Sequence, residues 1–364
     1  MDVPTKNRTE VTAAQFALSL YPIAIGTVYF PAAGILVPIA GTAGWLAMAI
    51  AFAVGLLWAV LAAKLGQWAP PGNFPQAVFS WWGPWIGRLM LLFLVAVSLW
   101  LGSLLMLQGS LVFHAIALPS TPPLALTVST LFLIVYSDWK GIEVYLRTVQ
   151  FLTLLAIPLP LGILWGTIPL VNLQNLLPVF GTGPARIAHA TYLALPWAME
   201  GTIFTLFLAP LVKDKKKVCK AAATSIALTG LTLTSLMVIT VGALGRGFAE
   251  GYAYPSAQLA LNAPFGGFLN GLELFFYPLW LVSTYIKSTA FFILASESLR
   301  GLLPVLKQPW RCLTLGAAYL ALSRVPRDSV QLTGSISRVG NTFIASLYWL
   351  LPLLAIYAWW RRRK

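Results

Sequence analysis

Two charged residues inside long apolar segments are the side chains most able to do chemistry in this chain. Glu200 lies in the apolar segment 187–211 and Lys287 in the apolar segment 265–299. A charge without a partner is costly in hydrocarbon, and ionisable residues in such segments usually face a cavity or a counter-charge. Both residues are therefore candidates for a polar site inside a membrane protein.

The segment around Glu200 also carries residues that interrupt helices. Pro196 and Trp197 precede the carboxylate, and Gly201 follows it. Proline removes a backbone donor and clashes with the preceding turn, and glycine lowers helix stability. Within a membrane, freed backbone groups are tolerated only where protein or a water-filled cavity supplies partners for them. The sequence therefore predicts a discontinuous helix at 195–201, with a ligand cavity beside it.

A second interruption falls in the first apolar segment. Its residues are Gly26, Thr27, Val28, Tyr29, Phe30 and Pro31. Taken alone, this stretch could be a packing kink, because glycine and proline are common in transmembrane helices. Two interruptions in the first and sixth of ten segments match an inverted duplication of a five-helix unit. Half-helix ends offer N–H groups to an anion and carbonyls to a cation, so the two breaks predict a pocket for a zwitterion.

The composition places these residues in an all-α polytopic membrane protein. Hydrophobic residues make up 59% of the chain and charged residues 9%, with a mean hydropathy of +0.80. These values lie far outside the usage of soluble domains. About ten apolar runs are long enough to cross a bilayer. They are 11–38, 42–65, 86–113, 122–136, 142–165, 187–211, 221–244, 265–299, 310–322 and 342–360.

The expected organisation is a single transmembrane domain over 1–364. Its first five-helix repeat covers 11–165 and its second covers 185–360. The segment between the ninth and tenth runs, 323–341, fits this topology least well and could be a re-entrant loop.

The net charge of +14 follows the predicted topology, not a nucleic-acid surface. Most of the 24 lysines and arginines lie at the ends of apolar runs on the side that also holds both termini. Cytoplasmic loops carry such an excess. We therefore expect both termini in the cytoplasm and no nucleic-acid partner. The basic residues on outer segments are Arg186, Arg246, Arg324, Arg327 and Arg338.

Motifs for enzymatic or metal chemistry do not occur in the sequence. Cys219 and Cys312 lie beside basic loops predicted to be cytoplasmic, which does not support a disulfide framework or a zinc site. His114 and His189 are too isolated for a metal or catalytic pair. The expectation is a protein that is not an enzyme and that holds no cofactor and no metal.

The pattern as a whole resembles the B-subunit family of endospore germinant receptors, in the amino acid–polyamine–organocation superfamily. The resemblance covers essentially the whole chain. It rests on the length, the ten spans, Gly-Thr-x-x-x-Pro at 26–31, Pro-x-x-x-Glu-Gly at 196–201, the run 266–274, Trp280 and Lys287. It implies a LeuT-like fold and a small germinant, such as an amino acid, bound at the two breaks. It also implies a spore inner-membrane location and partner A and C subunits.

The resemblance suggests a role for Lys287 as well. In the superfamily, the eighth span lies beside the first break, where sodium-coupled members bind a cation. Here Ser283 and Thr284 lie near Lys287, so its ammonium group could replace the ion at the carbonyls of 25–28. The alternative is a side chain that extends to the membrane interface. For Glu200 the alternatives are a pocket residue or a carboxylate that caps an unwound turn.

Three functions fit these features. The first is a receptor subunit that senses a germinant, and the second is a proton-coupled amino acid permease of the same superfamily. The third is a structural subunit with a vestigial pocket. Sensing and transport would use the same site, so the sequence does not separate them.

Overall fold

The computed structural model describes residues 10–70, 73–263 and 272–363, and these residues are almost entirely helical. An isolated bridge pairs Val11 with Val212. The α-helices are α1 (Ala13–Ile25), α2 (Pro31–Ala40), α3 (Gly44–Trp68), α4 (Phe74–Ile116), α5 (Pro123–Lys140), α6 (Ile142–Ala156), α7 (Pro158–Thr167), α8 (Pro184–Leu208), α9 (Val218–Glu250), α10 (Pro255–Asn262), α11 (Glu273–Leu302), α12 (Gln308–Ser323), α13 (Ser329–Val339) and α14 (Ala345–Arg363).

The protein is an integral membrane protein. In the part of the chain that the structure describes, seven helical segments are long and apolar enough to cross a membrane. Each of the ten predicted apolar runs overlaps a helix or a pair of helices, but the count of ten membrane crossings stays a prediction. The division into repeats at 11–165 and 185–360 also stays a prediction. Most of the run 266–274 lies outside the described residues.

The predicted interruption in the first span is confirmed. Helix α1 begins at a capping box, in which Thr12 and Gln15 exchange hydrogen bonds between side chain and backbone. It ends where Gly26 takes φ +39° and ψ −127°, a conformation that L side chains rarely adopt. Helix α2 then starts with Pro31 in its first turn, where the missing N–H is not needed.

The predicted interruption of the sixth span takes a different form. Helix α8 runs without a break from Pro184 to Leu208, so 195–201 is not unwound. Pro196 stays inside the helix, and residues from the end of the chain pack around it. The Tyr348 hydroxyl donates to the neighbouring Leu195 carbonyl at 2.8 Å, and Gly340 lies against the proline ring.

The segment 323–341, expected to be a loop, is largely helical. Asp328 caps α13 by accepting a hydrogen bond from the Gln331 N–H at 2.7 Å. A π-helical turn, Gly340–Ile344, joins α13 to α14. The helical segment that contains the predicted tenth span therefore begins at Ser329, about four turns before the predicted start of that span.

The core of the bundle forms where broken and unbroken helices cross. Helix α11 packs along α4, and α3 packs against both α8 and α9. Close approach of α3 and α8 requires a glycine, since a Cβ on Gly55 would lie 2.5 Å from Ala198 Cβ. Helices α1 and α2 both contact α8. This packing brings the first break, Glu200 and the middle of α11 together.

Both ends of the described chain lie on one face of the bundle. The Val11 N–H donates to the Leu211 carbonyl at 3.0 Å, which places the start of the chain beside the basic segment that follows α8. Near the C-terminus, the Arg362 guanidinium lies 5.7 Å from the centroid of the Trp68 ring, at the end of α3.

Candidate functional site

Glu200 of α8 and Lys287 of α11 form an ion pair in the middle of the bundle. The Lys287 Nζ atom is 2.5 Å from Glu200 Oε2, and the two side chains are 2% and 5% exposed. Two buried charges at this distance stabilise each other, whereas either alone would be strongly unfavourable. The pair therefore presents one positive and one negative group with no net charge.

This pairing bears on the structural alternatives that the sequence left open for Lys287 and Glu200. Lys287 does not extend to the membrane interface, because its side chain is buried. Its ammonium group contacts the Glu200 carboxylate. Glu200 does not cap an unwound turn, because α8 is continuous.

Gly26 provides the space that the lysine side chain occupies. A Cβ at Gly26 would lie 2.0 Å from Lys287 Cδ, far inside van der Waals contact. The aliphatic part of the lysine therefore runs directly over the end of α1. The first break, Lys287 and Glu200 therefore form one packing unit, in which the first break supports Lys287 and Lys287 pairs with Glu200.

A cavity of about 140 Å³ lies beside the ion pair. Its volume is similar to that of a protein cavity that admits benzene. The charged side chains among its described lining residues are Glu200 and Lys287. The uncharged polar ones are Thr27, Gln108, Thr333, Ser337 and Asn341, and the rest of the lining is mostly apolar. The cavity therefore suits a small molecule that carries both charges and some apolar surface.

The predicted ligand residues divide into those that line the cavity and those that support it. Thr27, Val28, Pro196, Trp197, Glu200 and Lys287 line it. The others are placed around it. Tyr29 and Ser283 hydrogen-bond to each other at 3.1 Å, which ties the first break to α11. Gly201 lies at the crossing of α8 with Ala24 of α1, and Thr284 packs against Gly109 of α4.

Several lining residues were not predicted from the sequence. Pro31, Ile35, Leu105, Gln108 and Leu193 come from α2, α4 and α8. Thr333, Ile336, Ser337, Gly340 and Asn341 come from α13 and the π-helical turn. The lining residues of α13 could have been found only from the amphipathic spacing of 329–339. They were not predicted, because the sequence did not fix the topology of 323–341.

A second group of buried polar residues lies away from the cavity, where α5, α11 and α12 meet. Asp138 Oδ2 accepts hydrogen bonds from the Ser296 hydroxyl at 2.8 Å and from the Cys312 thiol at 3.1 Å. The Ser296 hydroxyl in turn accepts from Arg311 Nε at 2.9 Å. We call these four residues the Asp138 cluster. Among the described residues, no three His, Cys, Asp or Glu side chains are grouped so that they could hold a metal ion.

Sequence comparison identifies one family. A family profile described as spore germination protein matches residues 10–330. The curated spore germination protein YndE of Bacillus subtilis (strain 168) is 22% identical over 331 residues, which cover 88% of this chain and 88% of that protein. The profile match extends over the first break, Glu200 and Lys287, and it ends within α13.

Structural comparison identifies the fold. The crystal structure of MhsT in complex with L-phenylalanine superposes with a TM-score of 0.68 at 13% sequence identity. The match covers 97% of this chain and 89% of the MhsT chain. The fold is therefore LeuT-like, and the expectation drawn from the family resemblance is confirmed at the level of the fold.

Proposed function

Since the chain belongs to the spore germination protein family, we propose that it is a germinant-receptor B subunit that binds a small zwitterion, such as an amino acid, in the cavity beside Glu200 and Lys287. The observation that carries this proposal is a buried pair of opposite charges on the wall of a cavity of ligand size. The alternative is a purely structural role, in which the ion pair only holds α8 against α11.

The ion pair favours a zwitterion over other small molecules. The ligand's ammonium group can pair with Glu200 while its carboxylate pairs with Lys287, so that neither buried charge loses a partner. A ligand with a single charge would leave one of the two residues unpaired, and a neutral apolar ligand could not compete with the existing contact. The family and the amino acid held by MhsT both support a ligand of this class.

The proposal is tested by removing each charge in spores that carry this chain as their receptor subunit. We expect Glu200→Gln and Lys287→Met to abolish the germination response to the cognate amino acid, measured as loss of refractility, while the subunit stays in the membrane fraction. The matched controls are Glu143→Gln and Lys220→Met, which make the same changes at exposed positions. A full response in both site variants would contradict a ligand site at this pair.

Proton-coupled amino acid transport is the second candidate function. The specific observation that favours it is the buried carboxylate of Glu200 at the cavity wall, a group that could carry a proton. Uptake of labelled amino acids into proteoliposomes, with and without a proton gradient, separates the two functions. Saturable uptake by this chain alone would support a permease, and binding without uptake would support a sensor.

The proposed receptor lies in the spore inner membrane with both termini in the cytoplasm, and it assembles with A and C subunits. This orientation is supported by the position of both chain ends, which lie on the same face of the bundle as the basic segment after α8. Reporter tags at each terminus would test it, because both should be accessible only from the cytoplasmic side. Co-purification of the A and C subunits with the tagged chain would test the assembly.

A further inference from the structure

Helix α13 and the π-helical turn bring a second kind of polar lining to the cavity. Thr333, Ser337 and Asn341 line it together with the ion pair. They are spaced four residues apart, so they lie along one side of the segment that runs from α13 into the turn. We call these three residues the α13 polar row. The row is uncharged, in contrast to Glu200 and Lys287.

Asn341 is the member of the row whose hydrogen bonding is incomplete. Its Oδ1 atom is buried and has no hydrogen-bond partner among the described residues. Its backbone is held in place, because the Tyr192 hydroxyl donates to the Asn341 carbonyl at 3.1 Å. A Cβ on the preceding Gly340 would lie 3.2 Å from Pro196 Cβ, so the turn packs closely on α8. Buried amides are normally bonded, and this oxygen has almost no accessible surface, so a ligand can supply its partner once the amide turns towards the cavity.

The chemistry of the lining restricts the ligand side chain. A charged side chain would be buried without a counter-charge, because Glu200 and Lys287 would already hold the ligand's ammonium and carboxylate groups. An apolar side chain would leave Asn341 Oδ1 without a donor. A hydroxyl or a carboxamide group donates to this oxygen, and a carboxamide can also accept from the asparagine amide.

We infer that the α13 polar row sets ligand specificity, and that Asn341 recognises an uncharged, hydrogen-bonding group on the ligand's side chain. The ligand class is then a small amino acid that ends in a hydroxyl or a carboxamide. The inference rests on the proposed function, because it assumes that the ligand's charged groups bind Glu200 and Lys287. The π-helical turn fits this role, since such turns occur frequently at functional sites.

The test measures binding of a set of amino acids to the purified full chain in lipid nanodiscs by calorimetry. The probes are asparagine, serine, alanine, leucine and lysine. The unmodified protein should bind asparagine and serine more tightly than leucine and lysine. In Asn341→Leu we expect affinity for asparagine to fall by about tenfold, while affinity for alanine is unchanged. Asn262→Leu makes the same change at an exposed position and should alter neither affinity.

A second variant keeps the inference testable if Asn341→Leu does not fold. Asn341→Asp keeps the shape of the side chain and adds a negative charge, so it should shift preference from asparagine towards lysine. Equal losses for all probes, or unchanged ratios in both variants, would overturn the role of Asn341. If the unmodified protein binds leucine as tightly as asparagine and Glu200→Gln abolishes both, the specificity inference fails and the proposed function stands. If no probe binds, both fail.

Discussion

The Glu200–Lys287 pair and the Asp138 cluster are both buried groups of polar side chains, but they are built differently. In the Asp138 cluster, one carboxylate oxygen accepts two hydrogen bonds and a serine links the aspartate to Arg311. Around the ion pair, one charge contact stands beside a cavity. The nearby Thr284 and Ser288 hydroxyls have no hydrogen-bond partners among the described residues.

This difference distinguishes a structural clamp from a site that can exchange partners. In a network where each side chain bonds to several others, the hydrogen bonds strengthen one another. Breaking one of them therefore weakens the rest. A single pair at a cavity can trade its contact for equivalent contacts with a ligand. Burial of charge therefore does not by itself identify function in this protein. The number of partners and the presence of a cavity distinguish the proposed ligand site from the Asp138 cluster.

The largest effect on stability is expected from removing the carboxylate of the Asp138 cluster. Asp138→Ala removes the charged acceptor of the Ser296 hydroxyl and the Cys312 thiol. It also removes one of two carboxylates near Arg311, the other being Glu297. We expect a loss of about 3–5 kcal/mol, because two hydrogen bonds to a charged group are lost, measured by denaturant unfolding in detergent. The folded fraction should bind ligand with unchanged affinity. Asp214→Ala is the control, because this half-exposed aspartate caps a short surface turn through one hydrogen bond, and its loss should cost about 1 kcal/mol. Equal effects of the two changes would refute a clamp at Asp138.

A smaller loss of stability is expected at the ion pair, and a second substitution should restore most of it. Lys287→Met should cost about 2–3 kcal/mol, because Glu200 is left buried, although the cavity can admit water and the carboxylate can take up a proton. Adding Glu200→Gln should restore most of this stability, since a buried pair can be replaced by neutral groups at little cost. The double variant should still not respond to ligand. A double-mutant cycle gives the coupling directly, and additive losses would show that the two residues do not interact.

The next effect in size concerns the glycine beneath the lysine. Gly26→Ala should destabilise the protein by about 1–2 kcal/mol more than Gly141→Ala. Both glycines have positive φ, but a Cβ at Gly141 meets open space, whereas one at Gly26 collides with Lys287. Thermal unfolding measures the stability of both variants. The difference between them reports the collision with Lys287, because the backbone strain of an alanine at positive φ is common to both. Equal losses would mean that the lysine moves aside at no cost.

The sequence predicted the elements of this site better than their pairing. The apolar runs locate the helices because hydrophobicity governs which segments enter the bilayer. The combination of glycine and proline at 26–31 marks a true break. The same signal failed at Pro196, where α8 stays helical and the proline packs against Gly340, a residue distant in the sequence.

Other parts of the site could not be read from local patterns. The contact between Glu200 and Lys287 depends on how α8 crosses α11, which no periodicity encodes. Helix α13 is rich in serine and carries Arg338, so its composition resembles that of a loop. Its polar row becomes meaningful only once the cavity against which it packs is known.

The smallest expected effect on stability comes from removing single hydroxyl groups, one near the ion pair and one in the Asp138 cluster. Thr284→Val removes a buried hydroxyl that has no partner among the described residues, and it keeps the shape of the side chain. Stability should change by less than about 0.5 kcal/mol or increase slightly, because no hydrogen bond is lost. Ser296→Ala, within the Asp138 cluster, should cost about 1–2 kcal/mol, because two hydrogen bonds are lost. Thermal unfolding of both variants gives the comparison. If Thr284→Val were the more damaging change, the hydroxyls around the ion pair would belong to a structural network as well, and the distinction between clamp and site would fail.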